Sequence, residues 1–157
     1  MITLRPATLE TVKPLRLRAL REDPDSFGST LEREQDRPDP DWDFWVKDTL
    51  IAFDGDTPVG MANLKLEDDG AQLFGMWVAP EARGKGVGEQ LVQALLARAG
   101  DRPITLCVAE GAGAARRLYE RLGFVPTGTG GTLRPGSEIR TVDLTRRPAP
   151  SRPARSR

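Results

Sequence analysis

The chain has 157 residues, of which 23 are acidic and 23 are basic, so its formal net charge at pH 7 is zero. This length suits one domain with its own hydrophobic core, and the balanced charge provides no long-range attraction to nucleic acids or membranes. The chain contains no histidine and a single cysteine. These counts exclude histidine-based catalytic triads, most catalytic zinc sites and an internal disulfide framework, so we expect no metal site.

The N-terminal segment, residues 1–6, lacks a long apolar run. We therefore expect neither a signal peptide nor a membrane-spanning helix. A single cysteine is compatible with a reducing compartment, and the cytoplasm is the predicted location.

The chain begins with a predicted strand at residues 2–5 and a predicted helix at residues 9–22. Pro14 lies inside that helix, so we expect it to kink the helix or to shift its start. A polar, proline-containing stretch follows and predicts a short helix at residues 29–35.

A further short helix is predicted through Trp42 and Trp45. These tryptophans are three residues apart, so we expect them to pack onto the sheet rather than to stack on a substrate. Two Gly-containing turns then separate three predicted strands, at residues 51–53, 59–66 and 71–78.

The second half of the chain alternates helices with strands. Apolar residues at helical spacing predict one helix that ends at Gly100 and another that ends at Gly123. Between them lies a predicted buried strand at residues 104–108, in which we expect Cys107 to pack in the core. The last predicted elements are two antiparallel strands, at residues 124–127 and 138–144.

The order of these elements predicts a single-domain α/β/α sandwich around one mixed, mostly antiparallel sheet. We expect residues 1–145 to form the folded domain. Residues 146–157 are rich in arginine and proline and are predicted to be a disordered basic tail. Such a tail carries no specificity by itself, which disfavours a role in nucleic-acid binding.

A basic, glycine-rich loop links one predicted strand to the next helix. Gly84, Gly86 and Gly88 alternate there, with Arg83 and Lys85 beside them. Glycine permits positive φ angles and close approach to a ligand, and the first turn of a helix has N–H groups without intrahelical partners. These features favour binding of a pyrophosphate. The spacing matches neither the dinucleotide-binding fingerprint nor a P-loop.

Two motifs carry a resemblance to a known family. Residues 83–88 match R-x-x-G-x-G, and residues 118–124 match L-Y-x-x-x-G-F. Together they resemble the GNAT superfamily of acetyl-CoA-dependent N-acetyltransferases, over about residues 2–144. The resemblance implies a GNAT-like fold with acetyl-CoA as co-substrate. The coenzyme-binding residues that it implies are Met76, Trp77, Val78, Arg83, Gly84, Lys85, Gly86, Val87 and Gly88.

The resemblance also implies a catalytic tyrosine. In many family members the tyrosine at the position of Tyr119 protonates the departing thiolate of the coenzyme. Tyr119 lies on the apolar stripe of its helix, so a packed core residue is the alternative. An Asn that the family often carries is Ala112 here, and a Glu that serves some members as general base is Gln72. Glutamine cannot accept a proton at neutral pH.

A general base is needed if the acceptor amine resembles lysine, because a pKa of about 10.4 leaves such an amine protonated at pH 7. Each candidate also fits an ordinary solvated charge. We select Glu32, because residues 27–32 resemble a stretch that recurs in bacterial family members. The full set of candidates is Glu32, Glu34, Asp36, Glu67 and Asp68.

We therefore predict an N-acetyltransferase that transfers the acetyl group of acetyl-CoA directly to an amine of a small molecule or peptide. A non-catalytic acyl-CoA-binding sensor is the alternative, and Ala112 and Gln72 favour it. A third alternative, a nucleotide- or nucleic-acid-binding module, is supported only by the glycine-rich loop and the basic tail. The sequence does not identify the acceptor, and it is compatible with a homodimer.

Overall fold

Burial along the second strand shows how the layers of the protein are arranged. A computed structural model describes residues 1–148 of the chain. Leu50 and Ala52 belong to one buried hydrophobic cluster, whereas Ile51 and Phe53 belong to another. Successive side chains of a strand point to opposite faces of a sheet. Both faces of the sheet are therefore covered.

Seven strands and five α-helices form within residues 1–148. The strands are β1 (Ile2–Pro6), β2 (Thr49–Asp54), β3 (Thr57–Leu66), β4 (Ala71–Val78), β5 (Ile104–Ala109), β6 (Val125–Thr132) and β7 (Arg140–Arg146). The helices are α1 (Leu9–Glu22), α2 (Leu31–Glu34), α3 (Asp43–Asp48), α4 (Val87–Ala99) and α5 (Gly113–Arg121).

The strands form one sheet in the order β1-β2-β3-β4-β5-β7-β6. Neighbouring strands are antiparallel except β4 and β5, which are parallel. α1 and α3 pack on one face and α4 and α5 on the other. The predicted α/β/α sandwich around one mixed, mostly antiparallel sheet is confirmed. Within residues 1–148, none of the helices has the length and apolar character needed to cross a membrane.

β4 and β5 pair only where they begin. Ala71 lies opposite Ile104 and Gln72 opposite Thr105, and no later pair joins these strands within residues 1–148. On its other edge, β4 stays paired with β3 as far as Val78. One edge of β4 therefore lacks a strand partner over most of its length. The backbone polar groups on that edge need a different hydrogen-bond partner.

The first helices differ in detail from the prediction. Pro14 does not shift the start of α1, which begins after Thr8, where the N–H of Thr8 donates to Oγ1 of Thr11 at 2.9 Å. α2 is shorter than the predicted helix at residues 29–35. The expected packing of both tryptophans is confirmed, because Trp42 is fully buried and Trp45 is 5% exposed.

The burial predicted for Cys107 is wrong, because its side chain is exposed. Its neighbours Leu106 and Val108 are buried, so β5 buries one face and leaves the other open. A strand covered on both faces would bury all three residues. The open face of β5 is on the side of the sheet where α1 and α3 pack, and the hydrophobic cluster of these two helices includes no residue of β5.

The C-terminal strands extend beyond their predicted limits. β6 continues through the glycines after residue 127, because its pairing with β7 uses backbone groups and every residue of β6 is exposed. Arg146, assigned to the tail by the sequence, belongs to β7, and its Nε donates to the carbonyl oxygen of Leu122 at 2.9 Å. Residues 149–157 of the predicted tail lie outside the described residues.

Gly75 provides a test of the packing beneath β4. Its φ is 65°, and a Cβ added there would lie 2.7 Å from two carbon atoms of the Trp45 indole. We predict that Gly75→Ala lowers the free energy of unfolding by more than the roughly 1–2 kcal/mol of left-handed backbone strain, since the indole or the strand must also move. Urea denaturation measures the change.

Gly55→Ala is the matched control, because Gly55 has a φ of 63° and no atom within 4 Å of the added Cβ. It should lose the backbone strain alone. Equal losses in the two variants would show that the contact between Gly75 and Trp45 does not constrain the strand.

Candidate active site

The open edge of β4 borders a cavity of about 980 Å³. β5 and α5 form the opposite wall, and the loop before α4 and the segment after α1 complete the lining. A space of this size suits an extended organic ligand. No group of acidic residues, histidines and cysteines within residues 1–148 is arranged to hold a metal ion.

The glycine loop presents backbone N–H groups at the start of α4. Gly84 and Gly86 have φ angles of 79° and 76°. The first hydrogen bond of the helix runs from the N–H of Gln90 to the carbonyl oxygen of Gly86 at 3.1 Å, so the N–H groups of residues 87–89 have no partner within the helix. Free N–H groups at a helix N-terminus, together with the helix dipole, favour the binding of an anion.

The side chain of Arg83 is committed to the protein rather than to an anion. Its Nε donates to the carbonyl oxygen of Val78 at 2.9 Å, and its Nη2 donates to Oδ2 of Asp23 at 2.9 Å. The same Asp23 oxygen accepts a 2.6 Å hydrogen bond from Nε1 of Trp77. That bond, followed by the contacts of Arg83, lowers the pKa of Asp23. The network fastens the loop to the end of α1 and to β4.

The remaining residues of the implied coenzyme site lie on β4 and on the glycine loop. Met76 and Val78 are half-buried on the open part of β4 and line the cavity, and Trp77 is buried beneath α1. Lys85 is exposed and is not among the residues that line the cavity. The structure thus brings together the strand, the glycines and Arg83, but not the Lys85 side chain.

Tyr119 also lines this cavity, from α5. Its side chain packs edge-on against Phe124, with ring centroids 5.6 Å apart, and the residue is 5% exposed. Burial raises the pKa of Tyr119, so its hydroxyl is protonated at neutral pH. α5 approaches the loop closely, since a Cβ added at Gly88 would lie 3.2 Å from Cδ2 of Leu118. This packing fixes Tyr119 relative to the loop.

Residues 15–124 match the acetyltransferase (GNAT) family. The chain belongs to this family. The resemblance inferred from the two sequence motifs is confirmed.

Two solved structures illustrate how far the GNAT fold extends along the chain. A GCN5-related N-acetyltransferase from Kribbella flavida is 24% identical, with a TM-score of 0.73 over 93% of this chain and 97% of the other. The structure of yncA from Salmonella typhimurium with its cofactor acetyl-CoA is 16% identical, with a TM-score of 0.74 over 98% and 99% of the two chains. At these identities the likeness concerns the fold.

A curated relative matches a shorter part of the chain. A 5-NmdU N-acetyltransferase from Pseudomonas phage PaMx11 is 39% identical over 56 residues. The match spans 36% of this chain and 40% of the phage protein, well under half of each.

The acidic residues considered as general bases in this GNAT enzyme do not line the cavity. Glu32 is exposed and the structure does not bring it beside Tyr119. Glu34 is buried but bound to Arg16. Burial by itself raises the pKa of Glu34, yet the hydrogen bonds and charge of Arg16 leave it below its ordinary value, so Glu34 is a poor base.

The two positions at which other family members carry Glu and Asn, Gln72 and Ala112 here, supply no base either. Gln72 is exposed where β4 and β5 still pair, outside the cavity. Ala112 precedes α5, and no side chain within residues 1–148 caps the first turn of that helix. Of the acidic residues described, Asp23 and Glu89 line the cavity, and Asp23 is held by Trp77 and Arg83.

Sequence reasoning missed Arg16 and Asp23, both of which line the cavity. A signal existed for Arg16, because it falls on the buried stripe of α1 between Val12 and Leu20. A cation on an apolar helical stripe needs a partner or a ligand. Asp23 follows the end of α1 and has no comparable signal.

Binding at the glycine loop can be tested at Gly86, where an added Cβ meets no atom within 4 Å. In Gly86→Ala the methyl group occupies space that an anion needs in order to reach the N–H groups. We expect acetyl-CoA affinity, measured by calorimetry, to fall roughly tenfold or more. Gly136→Ala is the control, because its φ is 81° and its surroundings are also open. An equal loss in both variants would remove the loop from coenzyme binding.

Proposed function

We propose that the protein is an N-acetyltransferase that transfers the acetyl group of acetyl-CoA to an amine of a small molecule or peptide. The observation that carries the proposal is the separation of β4 from β5. It leaves an open strand edge, the glycine loop and Tyr119 around one cavity. Membership of the GNAT family supports the same reaction.

The coenzyme is assigned to the open edge and the loop. Its pyrophosphate accepts hydrogen bonds from the N–H groups of residues 84–89, and the helix dipole adds to the attraction. Its pantetheine amides pair with the backbone of residues 76–78, as an added strand would. Because Arg83 is bound to Asp23, backbone groups rather than side-chain charges hold the phosphates.

The reaction is a direct transfer. The neutral amine attacks the thioester carbonyl, a C–N bond forms, and the C–S bond breaks. The N–H of Val78 stabilises the charge that develops on the carbonyl oxygen, and Tyr119 gives its proton to the departing thiolate. The amine proton leaves to water, since the cavity holds no carboxylate, among the residues described, that is both free and placed as a base. Positioning of the two substrates supplies the rest of the rate.

An acyl-CoA-binding sensor without turnover is the second candidate. The candidate bases selected from the sequence lie outside the cavity, and Ala112 and Gln72 occupy the family positions, which favours this second candidate. A screen of amines, read out by release of free thiol, distinguishes the two. Release that depends on an amine supports the enzyme, and binding without release supports the sensor.

Tyr119→Phe separates catalysis from packing. The variant keeps the ring and its contact with Phe124. If Tyr119 is the acid, we expect kcat to fall by roughly a hundredfold while acetyl-CoA affinity and melting temperature change little. Steady-state kinetics and a melting curve on the same protein measure these quantities. A normal kcat with a lowered melting temperature would show that the hydroxyl has only a structural role.

A further inference from the structure

Arg16 lies at the end of the cavity remote from the glycine loop. It is on α1, and it lines the cavity together with Phe27, Phe74 and Leu133. Asp23, which contacts the loop through Arg83, follows seven residues later at the end of the same helix, or roughly 10 Å along its axis. Arg16 therefore belongs to the part of the cavity left for the acceptor rather than for the pyrophosphate.

The guanidinium of Arg16 is held by a carboxylate along one edge and by two aromatic rings. Its Nε and Nη2 donate to the two carboxylate oxygens of Glu34 at 3.1 and 3.0 Å. The rings of Phe27 and Trp45 lie against it, with centroids 4.9 and 4.5 Å from Cζ. The side chain is 6% exposed. A bidentate pair between aromatic rings fixes both position and orientation.

The third nitrogen of this group, Nη1, is buried and has no hydrogen-bond partner within residues 1–148. A buried donor on a charged group without an acceptor is costly, and folded proteins normally supply a partner from the chain, a water molecule or a ligand. Glu34 is already bound through both of its oxygens to Arg16, and Nη1 of Arg37 also lies 3.8 Å from its Oε1. Two guanidinium groups thus share one carboxylate, and the cluster keeps a net positive charge.

We propose that the acceptor amine carries a carboxylate, and that one of its oxygens reaches Nη1 of Arg16 when the side chains that cover this atom shift. This inference rests on the proposed acetyl transfer. The excess positive charge favours a carboxylate over a neutral oxygen. The apolar walls that Phe27, Phe74 and Leu133 provide exclude water from the contact, which strengthens it. Arg16 is then a residue that determines acceptor specificity and takes no part in proton transfer.

The test compares ω-amino carboxylates of increasing length, namely glycine, β-alanine and γ-aminobutyrate, with their carboxamides. Rates are expressed per unprotonated amine. We expect kcat/KM to favour at least one carboxylate over its amide by roughly tenfold or more, the size of one charge-assisted hydrogen bond. The absence of any preference would overturn the inference and leave the proposed acetyl transfer intact.

Variants assign the preference to Arg16. Arg16→Met/Glu34→Leu replaces the buried pair with apolar side chains, which avoids an unpaired buried charge. Arg16→Lys keeps a positive charge beside Glu34 and removes Nη1, the nitrogen that Glu34 does not bind. Both should bring the carboxylate-to-amide ratio close to one. Lys13→Met/Asp39→Asn removes an exposed ion pair that joins the same helix to the segment before α3 and should leave the ratio unchanged. Persistence of the preference in a folded Arg16 variant would overturn the role of Arg16.

A binding measurement distinguishes failure of this inference from failure of the proposed function. Calorimetry compares N-acetyl-β-alanine with N-acetyl-β-alaninamide on enzyme saturated with coenzyme A. Tighter binding of the carboxylate, lost in Arg16→Lys, supports the inference even if no amine is acetylated, a result that would overturn only the transferase. Equal binding of the two compounds, together with equal turnover of the amines, would overturn the inference.

Discussion

The proposed function depends on the loss of pairing between β4 and β5 after their first two residues. Unpaired backbone groups inside a protein are costly, so such an edge persists only where water or a ligand can satisfy it. The neighbouring elements maintain the opening. Trp45 packs against Gly75 beneath β4, and Leu118 of α5 packs against Gly88 at the start of α4. A strand edge and a helix N-terminus consequently face the same cavity.

Two polar networks hold the segment after α1 over this opening. Asp23 joins Trp77 to Arg83 near the glycine loop, and Glu34 holds Arg16 at the other end of the cavity. Both carboxylates have lowered pKa values, so their contribution to stability is present above the pKa of the unfolded chain and is lost as the pH falls through the folded value. The opposite ends of the cavity are therefore built from fixed groups rather than from mobile side chains.

Much of the fold could be predicted from the sequence because its signals are local. Apolar runs between glycine-containing turns predict the strands, and the spacing of Gly84, Gly86 and Gly88 predicts an anion site. The outer face of β5 could not be predicted, since the exposure of Cys107 depends on where a distant strand turns away. Glu32 is favoured as a base because residues 27–32 resemble a stretch of bacterial family members, whereas the folded chain leaves it outside the cavity. The pairing of Arg16 with Glu34 joins residues on two different helices, and spacing along one helix does not reveal it.

Hydrogen exchange with and without acetyl-CoA tests the central claim most directly, because it reports on the backbone groups themselves. The account predicts slower exchange at residues 73–78 and 84–89 in the complex, and no change in the exposed strand β6 at the far edge of the sheet. Binding of acetyl-CoA without protection of these two segments would contradict it.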